Sequence, residues 1–258
     1  MNNYYGNSSW NSTAADGSSL SVTTVNSFLK QVMAIMAIGL GITGLVAFGI
    51  GQNMAADMDA FIASGRTYMP DGLLKTIFTT PLRWVVMFAP FIFILVINFG
   101  INRLSFMTAS ILFALFAAVM GLTLSSIFVV YSMGSIALTF FTTAGLFGVM
   151  AIIGITTKID LTKYSSYFMM AIIGLVIVGL VNMFMKSEAL GFIYGAVGVI
   201  IFTALVPFNM QTIVQTSGLV DHESEEGKKA GLLGALTLYM NFINLFLFLL
   251  RFMGSSRD

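Results

Sequence analysis

Seven long apolar runs dominate this sequence, and they constrain its fold more than any other feature. The runs are 18 to 23 residues long and carry at most one charge each. A helix rises about 1.5 Å per residue, so each run can cross a hydrocarbon core about 30 Å thick. They are Val32–Gly51, Trp84–Ile101, Met107–Ile127, Ile136–Thr156, Tyr167–Met185, Ala189–Phe208 and Gly231–Met253. The sequence therefore predicts an all-α integral membrane protein, a bundle of seven transmembrane helices.

The composition supports a membrane protein and excludes several partners. Hydrophobic residues make up 57% of the chain and charged residues 9%, whereas about a quarter of the residues in soluble domains are charged. No nucleic-acid partner is expected, because phosphate binding needs a concentrated basic face and Lys228–Lys229 is the longest basic run. The expected partner is the lipid bilayer.

The polar segments divide the chain into three parts. Residues 1–27 are rich in Asn and Ser and contain no Lys or Arg, which predicts a disordered polar tail. Residues 28–254 form the predicted membrane domain, and residues 255–258 a short C-terminal tail. Within the domain, Gln52–Arg83 is predicted to be a loop along the membrane interface, and Asn209–Ala230 a solvated loop.

The last apolar run is distinguished by a polar stripe. Asn241, Asn244, Thr237, Gly234 and Ala230 recur at helical spacing and share one face of a helix. An unpaired amide in lipid costs several kcal/mol, so this face is expected to point into protein or water. The run is therefore predicted to be the central helix of the bundle.

The residue types in the runs argue against catalysis. None of the seven runs contains Asp, Glu or His, and the single histidine, His222, lies in a charged loop. General acid–base chemistry, nucleophilic catalysis and metal binding all need such groups, so we expect no enzyme, no metal site and no cofactor. The remaining polar groups are neutral amides and hydroxyls, and we interpret Asn98 and Asn182 as interhelical hydrogen-bonding residues.

The orientation in the membrane is not determined by charge. Six basic residues fall on each side of the predicted bundle, so the positive-inside rule gives no preference. Seven crossings only require that the two termini lie on opposite faces.

Three stretches resemble the Bax inhibitor-1 (TMBIM/YccA-like) family. They are residues 131–185, residues 198–211 (GVIIFTALVPFNMQ) and residues 236–254 (LTLYMNFINLFLFLLRFMG), and the similarity covers residues 28–254. The resemblance implies a seven-helix bundle with the last helix central and the N-terminus in the cytoplasm. For a bacterial chain it implies the inner or plasma membrane. Similar proteins are described as pH-sensitive calcium leak channels, or as modulators of cell death or of membrane-protein quality control.

The chain departs from the family pattern at two positions. The family has one Asp within a motif like AYDxQ and another within LYLDFINLF, where this chain has Asn209 and Asn241. The resemblance implies that the paired acids sense protons and latch the pore, with a basic partner that corresponds approximately to Arg103. Amides do not titrate, so the leak is expected to be weak or independent of pH. Asn209, Asn241, Asn244 and Arg103 are the predicted latch and pore residues.

Two functions remain open from the sequence. The first is a channel-like passive cation leak, with calcium as the expected ion. The second is a non-conducting regulator that binds other membrane proteins, such as a quality-control protease, with the polar tail as a handle.

Overall fold

The chain forms eight α-helices in the part that the structure describes. The computed structural model describes residues 10–65, 72, 75–76 and 80–257, with side chains from residue 25 onward except that of Met87. The helices are α1 (Trp10–Ala63), α2 (Leu82–Gly100), α3 (Phe106–Leu124), α4 (Ile127–Val130), α5 (Met133–Thr156), α6 (Ser165–Met185), α7 (Glu188–Ser217) and α8 (Glu225–Met253). A 3₁₀ turn, Leu161–Tyr164, precedes α6. Among these residues no β-strand occurs, only one isolated bridge between Tyr131 and Ser256.

Seven helical segments are long and apolar enough to cross a membrane, which confirms the predicted fold class. They are Val25–Ala63, Leu82–Gly100, Phe106–Val130, Met133–Thr156, Leu161–Met185, Glu188–Ser217 and Glu225–Met253. Each contains most of one predicted apolar run, and α4 belongs to the same segment as α3.

Two predicted loops are much shorter than expected. Helix α1 continues to Ala63, because the segment after Gln52 holds no helix breaker and its Met54 is fully buried in one cluster with Val86 of α2. Helix α7 continues to Ser217, so Asn209 lies inside a helix and not in a loop. Gly218 follows the helix, and Met210 and Ile213 are buried in the core.

Serine residues begin four of the helices. The hydroxyl of each accepts a hydrogen bond from the backbone N–H three residues later, as in N-caps generally. The pairs are Ser105 with Thr108, Ser132 with Ser135, Ser187 with Leu190 and Ser224 with Gly227. These caps satisfy backbone donors at the helix ends that otherwise lack partners.

Helix α8 is the centre of the bundle, as the amide stripe predicted. In the most apolar 18-residue stretch of α8, 67% of the residues are buried, against 6% in the corresponding stretch of the segment that contains α6. It packs against α1, α3, α5 and α7, whereas α2 packs on α3, and α6 packs on α7. Helices α2 and α6 are therefore peripheral.

The two predicted tails have different outcomes. Residues 1–9 lie outside the described residues, and α1 begins at Trp10. The disordered character of residues 1–27 stays a prediction. The C-terminal residues return to the bundle: the Ser255 backbone N–H donates to the Ser135 hydroxyl at 2.9 Å. The Arg257 backbone N–H donates to the Val130 carbonyl at 3.0 Å.

Candidate functional site

Asn209 lies beside a small cavity between α1, α7 and α8. The cavity has a volume of about 240 Å³, and we call it the amide cavity. Its lining residues are Phe28, Asn209, Thr212, Ile213, Thr216, Ala230, Leu233, Gly234 and Thr237. The structure thus brings Asn209 to one end of the predicted stripe on α8, at Ala230, Gly234 and Thr237.

The polar groups of the amide cavity are all neutral. The hydroxyls of Thr212, Thr216 and Thr237 donate to carbonyls one turn earlier in their own helices, at 2.8 to 3.0 Å. Their oxygen lone pairs remain free to accept further hydrogen bonds. The Asn209 side chain makes no hydrogen bond within the described chain. The cavity can therefore offer amide and hydroxyl oxygens to water or to a cation.

Asn241 is the most buried of the predicted site residues. Its side chain is 5% exposed, and its amide nitrogen has no hydrogen-bond partner among the described residues. A buried donor without a partner costs about 1–3 kcal/mol, so this amide destabilises the closely packed core. Asn241 follows Thr237 by one helical turn but does not line the amide cavity.

Asn244 continues the same face of α8 and is half-buried. Four residues further along, Phe248 packs against Gly198 of α7, where an added Cβ would lie 2.2 Å from the Phe248 ring. The polar stripe therefore ends at a tightly packed aromatic contact.

Arg103 does not line the amide cavity. It lies exposed in the loop after α2, where its backbone N–H donates to the Gly100 carbonyl at 2.8 Å. Its side chain makes no ion pair within the described part of the chain. The charge latch that the resemblance implies for Arg103 stays a prediction.

The charged side chains of α7 and α8 are confined to the helix ends. They are Glu188, Glu225, Glu226, Lys228, Lys229 and Arg251. Across residues 10–65, 72, 75–76 and 80–257 no group of three His, Asp or Glu side chains converges as metal ligands. The middle of the α7–α8 contact therefore holds amides and hydroxyls without a charge.

Sequence reasoning missed two polar clusters that organise the bundle. Gln211 joins α7 to the segment after α5: its Nε2 donates to the Ile159 carbonyl, and its Oε1 accepts from the Leu161 backbone N–H, both at 2.7 Å. In the core, the Tyr239 and Thr43 hydroxyls hydrogen-bond at 2.7 Å. Spacing along one helix does not reveal a contact between distant segments, so neither cluster had a local signal.

Asn98 and Asn182 also differ from their interpretation as interhelical residues. The Asn98 amide donates to the Ile94 carbonyl of its own helix at 2.9 Å, on an exposed face of α2. The Asn182 side-chain oxygen is buried and has no partner among the described residues.

The comparisons with known proteins agree with this architecture. Residues 25–258 match the family described as inhibitor of apoptosis-promoting Bax1. The chain is 38% identical to the inner membrane protein YbhL of Escherichia coli over 90% of this chain and 93% of that protein. It is 37% identical to a protein of Borreliella burgdorferi, over 90% of this chain and 94% of that one. A Caulobacter vibrioides protein is 36% identical over 95% of both chains.

Proposed function

Because the chain belongs to the Bax inhibitor-1 family, we propose that it is a passive, pH-insensitive cation leak, with calcium as the expected ion. The observation that carries the proposal is the amide cavity, which joins Asn209 to the polar stripe of α8 inside an apolar bundle. A cavity with free oxygen acceptors between transmembrane helices is where a permeating ion can exchange water for protein ligands.

The absence of charge in this region sets the expected strength and pH dependence. Calcium prefers oxygen ligands, and carboxylates bind it most strongly. A unit charge pair at 4 Å contributes roughly 4 kcal/mol at an effective dielectric constant of 20. With amides at positions 209 and 241 that attraction is lost, and no group there titrates between pH 6 and 8. The leak is therefore slow and constant with pH.

In this proposal the tight packing of α5, α7 and α8 is the closed state of the leak. Val206 and Met210 of α7 are 0% and 1% exposed, and the rings of Phe147 and Phe242 pack edge to face with centroids 5.6 Å apart. Ion passage therefore requires α7 and α8 to separate, because these side chains are buried in the core that the two helices share.

The same closed packing favours a second candidate, a non-conducting regulator of other membrane proteins. In that case the amides at positions 209 and 241 are structural, and the polar N-terminal segment is the handle for a partner such as a quality-control protease. Capture of a partner that depends on residues 1–27, together with no calcium flux, supports this candidate.

Calcium flux in liposomes tests the leak. The full chain is reconstituted with a trapped calcium dye and compared between about pH 6 and pH 8 with the double variant Asn209→Asp, Asn241→Asp. The unmodified chain is expected to give a slow flux that is flat with pH. The double variant is expected to give a faster and pH-dependent flux, because carboxylates attract calcium and take up protons, whereas amides do neither.

Asn98→Asp is the matched control, since Asn98 is an exposed amide on the peripheral helix α2. Its flux is expected to equal that of the unmodified chain. If Asn98→Asp reproduces the double variant, the amide site is not the pathway. If neither the unmodified chain nor the double variant conducts, the leak is rejected in favour of the regulator.

A further inference from the structure

A large cleft lies at the opposite end of α7 from the amide cavity. It has a volume of about 880 Å³ and is formed by the end of α6, the start of α7 and the last turn of α8. We call it the arginine cleft. Its lining residues are Val176, Gly179, Leu180, Asn182, Met183, Lys186, Ser187, Glu188, Gly191, Phe192, Tyr194 and Arg251.

Two hydrogen-bond donors converge above Gly191 in this cleft. A Cβ added at Gly191 would lie 3.1 Å from the Arg251 Nη2 and 3.4 Å from the Asn182 Nδ2. Because position 191 has no side chain, both groups pack close to the α7 backbone and near each other, and both line the cleft. An anion oxygen bound in the cleft can accept a hydrogen bond from both groups, and guanidinium groups bind phosphate oxygens especially well.

The charge of the cleft is positive and is not neutralised internally. Arg251 lies over the Tyr194 ring at 5.3 Å. Neither Arg251 nor Lys186 forms an ion pair with any carboxylate of the described chain. Glu188 also lines the cleft, so two cations face one anion. The resulting net charge of about +1 matches the single negative charge of a phosphate diester.

Lys186 lines the cleft and has an unusual backbone conformation. It ends α6 with a φ of 49°, in the left-handed region, which is sterically unfavourable for a non-glycine residue. Glycine would end the helix without this strain. The local backbone conformation therefore does not explain why a lysine occupies this position.

The walls of the cleft are apolar and extend along α6 into the membrane. Val176, Leu180, Met183 and Phe192 are between 53% and 63% exposed, so they face the lipid side. Val176 precedes Lys186 by ten residues, which is about 15 Å along a helix. The cleft thus combines a cationic mouth at the helix ends with an apolar wall of acyl-chain depth.

One further group in the cleft lacks a partner. The Asn182 Oδ1 is buried and accepts no hydrogen bond within the described chain, and it needs a donor. A phosphate alone cannot supply one, whereas the hydroxyls of a glycerol headgroup can.

From these features we propose that the arginine cleft binds one anionic phospholipid with a hydroxyl-bearing headgroup, such as phosphatidylglycerol. The phosphate accepts from Arg251, Asn182 and Lys186, and a headgroup hydroxyl donates to the Asn182 Oδ1. The acyl chains lie along Val176 and Leu180. Basic pockets between transmembrane helices are suited to such headgroups. The proposal does not depend on the cation leak.

Native mass spectrometry of the full chain in detergent tests the site. Phosphatidylglycerol and phosphatidylcholine with identical acyl chains are added at equal concentration, and the lipids retained by the protein are counted. The unmodified chain is expected to retain one phosphatidylglycerol with about tenfold preference, as expected for charge-assisted hydrogen bonds. Equal retention of the two lipids would overturn the proposal.

Five variants of cleft residues separate the roles of the groups. Arg251→Gln and Lys186→Gly are each expected to reduce the preference severalfold, and Lys186→Gly retains a favourable helix end. Arg251→Lys is expected to keep part of the preference, because it keeps the charge but not the planar fork. Gly191→Ala is expected to reduce it, because the added methyl group displaces both donors from their positions. Glu188→Gln is expected to increase it.

Arg83→Gln is the matched control. Arg83 also lies over an aromatic ring, that of Trp84 at 5.0 Å, but it is outside the cleft. The Arg83→Gln variant is expected to keep the full preference for phosphatidylglycerol. A loss of preference equal to that of Arg251→Gln would show that overall charge, and not the cleft, selects the lipid. A millimolar excess of glycerol 3-phosphate is expected to leave the lipid bound. Displacement by it would assign the cleft to a soluble phosphate and overturn the lipid assignment.

Discussion

The hydroxyls of Thr43 and Tyr239, 196 residues apart in the chain, are joined by a 2.7 Å hydrogen bond in the middle of the bundle. Thr43 also donates to the Ala117 carbonyl of α3 at 2.8 Å. A threonine hydroxyl has one proton, so Tyr239 is the donor in the bond to Thr43. The rings of Phe113 and Phe116 pack against Tyr239 edge to face, at 5.6 and 5.5 Å. This cluster joins α1, α3 and α8.

The donor order predicts unequal effects of two substitutions. Tyr239→Phe removes one hydrogen bond and leaves the bond from Thr43 to Ala117, so we expect a loss of about 1 kcal/mol in the free energy of unfolding. Thr43→Val removes both bonds and leaves the buried Tyr239 hydroxyl unpaired, so we expect a loss of about 2 kcal/mol. Denaturation in mixed micelles measures both. Equal losses would contradict the assigned donor.

A glycine sets the distance between α5 and α7. A Cβ at Gly154 would lie 2.6 Å from the Pro207 Cα and 2.7 Å from the Pro207 carbonyl oxygen. Backbone cannot move aside as a side chain can, so Gly154→Ala is expected to lower stability by about 1–3 kcal/mol. Gly148 of the same helix has nothing within 4 Å of its added Cβ. Gly148→Ala is expected to be neutral or stabilising, because alanine favours helix. Thermal unfolding of the two variants in one detergent compares them.

The side chain of Gln211 is expected to hold the segment after α5 in place. Both ends of its amide are used, one as donor and one as acceptor, so Gln211→Met loses two hydrogen bonds at similar volume. We expect a loss of about 1–2 kcal/mol in stability and faster amide hydrogen exchange at Leu161. Gln215→Met is the control, because Gln215 has only a 3.5 Å contact with the Thr162 hydroxyl. Unchanged exchange at Leu161 in Gln211→Met would reject this role.

Asp160 makes the stability of the segment after α5 depend on pH in the acid range. The Thr162 hydroxyl donates to this carboxylate at 2.6 Å, and this bond, with the Thr162 backbone N–H and nearby Lys163, holds the Asp160 pKa below its ordinary 3.8. A lowered pKa in the folded state adds stability above pH 3.8, and the addition is lost as the pH falls through the folded pKa.

Asp160→Ala is therefore expected to lower the unfolding temperature at pH 7, and this effect is expected to shrink as the pH falls below 3.8. Thr162→Val is expected to raise the Asp160 pKa toward its ordinary value and to reproduce part of this difference. Unfolding temperatures of both variants, measured from pH 7 down through the acid range, check this pH dependence. A difference between Asp160→Ala and the unmodified chain that stays constant with pH would contradict the proposed linkage.

Local sequence features predicted the spans and the central helix correctly. The run Gly231–Met253 was identified as central from its amides, and α8 is the most buried helix. Helix ends were less accurate: α1 and α7 run past their predicted ends, because the side chains of Met54 and Met210 are buried against other helices. Polarity alone suggested loops there, and burial against distant residues outweighed it.

The structure brings together only some of the residues that the sequence analysis selected for the candidate site. Asn209 shares a cavity with Ala230, Gly234 and Thr237 of the stripe on α8, whereas Asn241 and Asn244 do not line it. Arg103 lies exposed in the loop after α2, and the arrangement of Arg251, Asn182 and Gly191 in the arginine cleft had no signal in the sequence.

The sequence by itself determined that this protein crosses a membrane seven times and that α8 is its core, because apolar length and the cost of unpaired amides are properties of single segments. Only the tertiary structure decided that Tyr239 meets Thr43, that Gln211 holds the loop after α5, and that Arg251 and Asn182 converge above Gly191. Such contacts depend on the rotation and pairing of whole helices, which many packed side chains determine together.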